Sequence, residues 1–277
     1  MKILFAGCGD IGKRTGARLA PNHQCFGLKR NPQDLPDTIV PIAGDMSDAE
    51  VLQVILSEGF DVVLVTLTPE AFTEVAYRDA YLAGATALSD AISSIANRPK
   101  LVIWVSSTSV YGHCEGEWVD EQSATNPASF SGKLLLEAEG QIQALPCAHT
   151  VVRFSGIYGP GRTRMLNQIS AGKGRPAVPE QWSNRIHSED CAGVIAHLIE
   201  RFDAGEIVEP LYLATDCAPV TQHVMRNWLA EQMNVDLSDE MVMQNSNRRC
   251  SNQRLLEIGY RFIFPSYQEG YLSLMAE

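Results

Sequence analysis

The 277-residue chain reads as an α/β protein built on a doubly wound parallel sheet, and three observations carry that reading. Short apolar runs alternate with helical patterns through the first half, the rhythm of strands joined by crossover helices. The first run, Ile3 to Ala6, passes directly into Gly7-Cys8-Gly9-Asp10-Ile11-Gly12. That is G-x-G-x-x-G spacing after a strand and before a helix, the turn of a dinucleotide-binding Rossmann unit. Hydrophobic residues make up 45% and charged residues 20% of the chain, enough apolar content for a sizeable core.

Each element follows in order. Gly7 permits the tight turn, Gly9 lets the backbone approach a pyrophosphate, and Gly12 lets the next helix pack closely on the strand. The helix continues through Lys13 to Ala20, with Asp10 and Ile11 inside the turn, so its free N–H groups and positive dipole end face the phosphates. Pro21-Asn22-His23 turn the chain into a second strand, Cys25 to Leu28, ended by Lys29-Arg30-Asn31-Pro32. An acid at this strand end selects NAD through the ribose 2′-hydroxyl, and a base accommodates a 2′-phosphate. Lys29 and Arg30 therefore predict NADP as the cofactor, with NAD left open. A third strand, Thr38 to Ala43, ends in Gly44-Asp45-Met46, which places Asp45 and Met46 near an adenine ring. Ser47-Asp48-Ala49-Glu50 reads as a capping box opening a helix through Leu56.

Phe60 to Val65 form the fourth strand and deliver Thr66 to the cofactor edge. A helical pattern from Glu70 to Ala96 then places Phe72, Val75, Ala76, Ala83, Ala87, Leu88, Ala91, Ile92 and Ile95 on one broad face. That face is core first and homodimer surface second, together with the helix around 129–144. Leu101 to Val105 make the fifth strand, bringing Ser106 to Gly112 to the edge where ligands sit in such sheets.

A net charge of −11 argues against a nucleic-acid partner and for a small-molecule one. The longest apolar runs are far short of a membrane span, and the N-terminal one is too short for a signal peptide, so no membrane partner and a cytoplasmic location are expected. The seven cysteines are scattered and contain no C-x-x-C pair, which predicts neither a disulfide framework nor a metal site.

Further motifs add a resemblance. Ser106-Ser107-Thr108-Ser109-Val110-Tyr111-Gly112 resembles the S-S-x-x-V-Y-G segment of the extended short-chain dehydrogenase/reductases, the group of NAD(P)-dependent epimerases and dehydratases. Arg153 to Arg162 resembles that family's R-x-x-x-x-Y-G-P-G-R stretch, Asn184 to Asp190 its R-x-I-H-x-x-D element, and Arg248 to Tyr267 its C-terminal end. The resemblance makes Ser107 the counterpart of the catalytic serine and puts Tyr111, Arg162 and Arg185 on the substrate side, toward an anionic ligand. A structural ion pair of Arg185 with Glu189 or Asp190 is the alternative, and His187 and Asp190 read as architectural, linking the two parts. A dinucleotide-binding domain over 1–154, with sheet and helix contributions from later segments, and a smaller substrate-binding region over 155–277 are expected.

The chain departs from the family at its catalytic Tyr-x-x-x-Lys. The stretch here is Ser129-Phe130-Ser131-Gly132-Lys133, so the lysine is kept and the tyrosine is Ser129. A phenol near pKa 10 can be tuned to exchange a proton at neutral pH, whereas a serine hydroxyl is a far weaker acid on a shorter arm. Tyr111 and Tyr158 are the candidate replacement acids. Ser107, Lys133 and Ser129 thus form the catalytic set of an oxidoreductase, epimerase or dehydratase with an altered active site, acting on a sugar nucleotide or other small anionic carbonyl or hydroxyl compound. A cofactor-binding sensor without turnover is the competing class.

Overall fold

Seven strands form the central parallel sheet of the computed structural model, which describes residues 1–241 and 246–276. They are β1 (Lys2–Ala6), β2 (Gln24–Lys29), β3 (Val40–Ala43), β4 (Val62–Val65), β5 (Leu101–Ser107), β6 (Ala148–Phe154) and β7 (Leu211–Ala214). Their order across the sheet is β7-β6-β5-β4-β1-β2-β3. β1 lies inside because Ile3, Leu4, Phe5 and Ala6 are all fully buried, with Ile3 registered on Cys25 to one side and on Val62 to the other. The chain builds outward from β1 first through β2 and β3, then in the opposite direction from β4. The reversal opens a crevice at the carboxyl ends of β1 and β4, where ligands bind in open α/β sheets.

The connecting helices follow from local chemistry. α1 (Asp10–Leu19) buries Ile11, Gly12, Thr15, Gly16 and Leu19. α2 (Ala49–Ser57) is capped by Asp48, which accepts from the Glu50 and Val51 amides. Ser47, the expected cap, instead donates its hydroxyl and amide to Asp45.

The expected continuous helix over 70–96 is interrupted. α3 (Glu74–Tyr77) starts at a Thr73 cap, a π turn covers Arg78–Leu82, and α4 (Ala83–Ser94) completes the run. The wider turn slips the pattern by one residue. Ala87, Leu88, Ala91 and Ile92 therefore reach the core, while Phe72 and Val75 stay 72% and 69% exposed and do not belong to the predicted core face. α5 (Phe130–Gln143) buries Leu134, Leu135, Ala138 and Ile142.

The structure divides into two units with a discontinuous chain path. The first contains residues Met1–Val110, Ser129–Arg153 and Ala192–Tyr212, and the second Tyr111–Ala128, Phe154–Cys191 and Leu213–Glu277. The second unit has its own core, in which Tyr158, Ile169, Met225, Leu229, Tyr267 and Tyr271 pack together. Within it Asp190, fully buried, accepts from the Tyr260 hydroxyl (2.8 Å) and the Ile263 and Phe264 amides (2.7 and 2.9 Å), contacts that all lie inside this unit.

Candidate functional site: a dinucleotide cleft in the first unit

The glycine turn is held by the strands around it. The Gly7 and Cys8 amides donate to the Leu28 carbonyl (3.0 and 3.1 Å), and the Thr66 hydroxyl donates to the Gly7 carbonyl (2.8 Å). Gly7 has φ of +76°, and a Cβ there would meet the Thr66 carbonyl oxygen at 2.8 Å, so only glycine fits. A Cβ on Gly12 would sit 3.3 Å from the Cys8 sulfur, the close packing its position in the motif implies. At Gly9 nothing comes nearer than 3.8 Å, so the backbone faces open space. No side chain caps α1 among the described residues, and Asp10 turns instead to Arg14 at 2.7 Å. The first amides of the helix, those of Ile11 and Gly12, therefore meet no side-chain cap, a fit for a pyrophosphate.

A cleft of about 1100 Å³ opens from this turn, lined by Gly7, Gly9, Lys29, Arg30, Asp45, Met46 and Thr66 among others. Seven of the expected cofactor residues are thus brought together on one surface. Asp45 is held below the usual carboxylate range by the Ser47 amide and hydroxyl. The cations at the end of β2 already have partners that motif reading missed. Asp34 takes Lys29 on one oxygen (2.5 Å) and Lys13 on the other (3.0 Å), and these bonds pull its pKa down to about 2. Arg30 reaches Glu70 at 2.8 Å, with both side chains mostly exposed. The only available signal was charge, since Asp34 falls five residues after Lys29.

At the end of β5, the Ser107 hydroxyl accepts from the Ser109 amide at 3.2 Å. Ser129 is the N-cap of α5, its oxygen accepting from the Gly132 amide at 3.1 Å and lying 3.1 Å from the Ser131 hydroxyl. Lys133 is exposed one turn later, with no hydrogen bond from its ammonium among the described residues. Beneath these positions a fully buried Glu139 accepts from Ser106 (2.5 Å) and from Arg153 Nε and Nη2 (3.1 and 2.6 Å). This tie joins α5 to β5 and β6, and the sequence reading did not anticipate it.

In the second unit the Tyr111 hydroxyl donates to the Asp120 carbonyl at 2.7 Å and the Tyr158 hydroxyl to the Ser266 carbonyl at 3.4 Å, and burial pushes the Tyr158 phenol upward. Arg162 lines a shallow basic pocket of about 530 Å³ with Arg164, Gln168 and Lys173. Arg185 lies elsewhere, in the buried cluster: it is 9% exposed, reaches only the Tyr271 hydroxyl at 3.5 Å, and its Nε finds no partner among the described residues. Neither Glu189 nor Asp190 forms an ion pair with it. A residue the sequence reading missed, Arg226, is 3% exposed and held by neutral oxygens of Gln222, Lys173 and Gln168. Burial first, then Arg175 and Arg185, bring its pKa down to about 10.

Among the described residues no helix is long and apolar enough to cross a membrane, and no group of three or more His, Cys, Asp or Glu side chains could hold a metal ion.

Comparison with known proteins agrees with this fold. Residues 1–252 match the family described as RmlD substrate binding domain. The chain is 35% identical to a proposed NAD-dependent epimerase/dehydratase from Methylobacillus flagellatus, over 99% of this chain and 97% of that one, with a TM-score of 0.83. Over 142 residues it is 36% identical to protein YeeZ of Escherichia coli K12, a match covering 51% of this chain and 47% of YeeZ, so it spans about half the length of that relative. DesIV, a dTDP-glucose 4,6-dehydratase from Streptomyces venezuelae solved with NAD bound, shares the fold at 17% identity and a TM-score of 0.81, over 99% of this chain and 95% of DesIV. With its glycine turn, seven-stranded parallel sheet and match along nearly the whole length, the chain belongs to the RmlD substrate binding domain family, within the extended short-chain dehydrogenase/reductases.

Proposed function

We propose that this protein is an NADP-dependent oxidoreductase of epimerase or dehydratase type, acting on a sugar nucleotide or another small anionic carbonyl or hydroxyl compound in the cytoplasm. The observation that carries the reading is the cleft itself, in which a clamped glycine turn, an uncapped helix start and two basic residues line one surface. Bound there, the dinucleotide supplies or accepts hydride. Lys133 holds the nicotinamide ribose through its exposed ammonium, and Ser107 donates a hydrogen bond to the substrate oxygen as charge develops on it. The anionic character of the substrate is the reading drawn from the family resemblance at Arg162 and Arg185, and within the second unit Arg162 lines a basic pocket with Arg164 and Lys173. The exposed Phe72 ring, packed on the half-buried Tyr77 and Phe130 where α3 meets the start of α5, supports a homodimer through these helices.

Native mass spectrometry of the freshly purified protein tests the cofactor, and calorimetry tests its identity. NADP is expected to bind more tightly than NAD, and Arg30→Ala to cost about ten- to a hundredfold in NADP affinity with little change for NAD, the range of a lost charge-assisted hydrogen bond. Equal or tighter binding of NAD by the parent protein removes the NADP assignment.

A second reading, a sensor that binds the dinucleotide without turnover, draws on Ser129. Its hydroxyl is spent on capping α5, so the position of the family's catalytic tyrosine provides neither a phenol nor a free hydroxyl. Single-turnover hydride transfer across a panel of sugar nucleotides separates the two, because a sensor gives none.

A further inference from the structure

Three cations pair with two carboxylates around the end of β2, Lys13 and Lys29 with Asp34 and Arg30 with Glu70. α1 contributes Lys13 just after the glycine turn, and β2 contributes Lys29 and Arg30 at its end. Beyond β2 the chain bends at Pro32, where the Leu35 amide donates to the Pro32 carbonyl. This turn brings Asp34 back against the two lysines, so that one carboxylate bridges ammonium groups from two different elements, one on each oxygen. Lys29, Arg30, Asp34 and Glu70 all line the cleft.

Resting on the cofactor reading above, we propose that Asp34 is a specificity-determining residue that limits the preference for NADP by occupying the lysine pair a 2′-phosphate would need. A ribose 2′-hydroxyl is a donor and is served by a carboxylate at this place. A 2′-phosphate carries up to two negative charges and needs Lys13 and Lys29 released. To bind it, the protein must swing Asp34 away or accept a like charge within a few ångströms, and like charges this close repel appreciably even near water. Arg30 stands apart from this competition, because its partner Glu70 lies 40 residues along the chain and leaves by rotation of two mostly exposed side chains. The site thus combines a carboxylate suited to NAD with cations suited to NADP, and their mutual pairing sets the balance. Asp34 is over half exposed, so replacing it leaves the core intact.

The test is calorimetric titration of the parent and Asp34→Asn proteins with NADP and with NAD, at low and at about 1 M salt. Asp34→Asn is expected to tighten NADP about five- to thirtyfold while NAD changes by less than about threefold or weakens. The NADP gain should shrink at high salt, where charge interactions at exposed groups are screened. Lys29→Ala in the Asp34→Asn background should abolish the gain. A selectivity ratio unmoved in Asp34→Asn, in a parent that binds both dinucleotides, overturns this inference and leaves the cofactor reading standing. A parent that binds neither overturns both.

Discussion

Ser129 shows how one side chain can be read from two directions. The spacing to Lys133 puts it where the family resemblance leads one to expect a tyrosine, while its backbone, with φ of −79° and ψ of 150°, marks it as an N-cap. The two roles respond differently to substitution. Ser129→Ala should lower stability by about 0.5–2 kcal/mol in urea unfolding, with Ser129→Asp restoring most of it, and should leave cofactor binding nearly unchanged. Ser129→Tyr loses the same cap but returns the missing acid, so hydride transfer to a carbonyl panel should rise by about 10²–10⁴-fold. A large loss of native turnover in Ser129→Ala, with cofactor affinity intact, would instead make the serine itself a reacting group.

At the level of elements, the buried Glu139–Arg153 pair fixes α5 to the sheet and so fixes where Ser129 and Lys133 begin. Its side chains are 1% and 5% exposed. Glu139→Gln should cost about 3–5 kcal/mol, because it leaves a desolvated guanidinium without its counter-charge, while Glu139→Leu combined with Arg153→Met should cost less than the single change. Chemical denaturation of the three proteins checks this ordering. Such ties also explain what was legible from residues alone. The glycine turn and the strands β1 to β5 could be read because each depends on neighbours in the chain. The π turn at Arg78–Leu82, the Asp34 bridge and the Glu139–Arg153 pair could not, because each is decided by what packs against it from elsewhere. The same holds for Arg185, whose partner Tyr271 lies 86 residues away.

For the molecule as a whole, the acidic balance hides a basic interior in the second unit, and its pH response follows from Asp216. That carboxyl is 3% exposed and its pKa is raised to about 7, chiefly by burial, against the pull of the Ala218 amide and Arg185. A carboxyl whose folded pKa lies above its ordinary value of about 3.9 stabilises the fold fully at low pH, and that contribution is lost as pH rises through about 7. The melting temperature should therefore fall between pH 5 and pH 8 by an amount that Asp216→Asn removes. A fall of the same size in the Asn variant would place the responsible group elsewhere.

The discontinuous path has a consequence for how the protein is made. The first unit is incomplete until residues 192–212 have been synthesised, yet β6 ends at Phe154 and acquires its outer neighbour β7 only at Leu211–Ala214. During that interval the nascent chain carries Val151, Val152 and Phe154, all buried in the finished fold, on an unpaired strand edge that can template pairing with another chain. A ribosome that stalls between these two points, or a gene cut at the apparent boundary near residue 154, releases a polypeptide with its glycine turn intact and its sheet open, a substrate for chaperones before it is ever a binder of nucleotides.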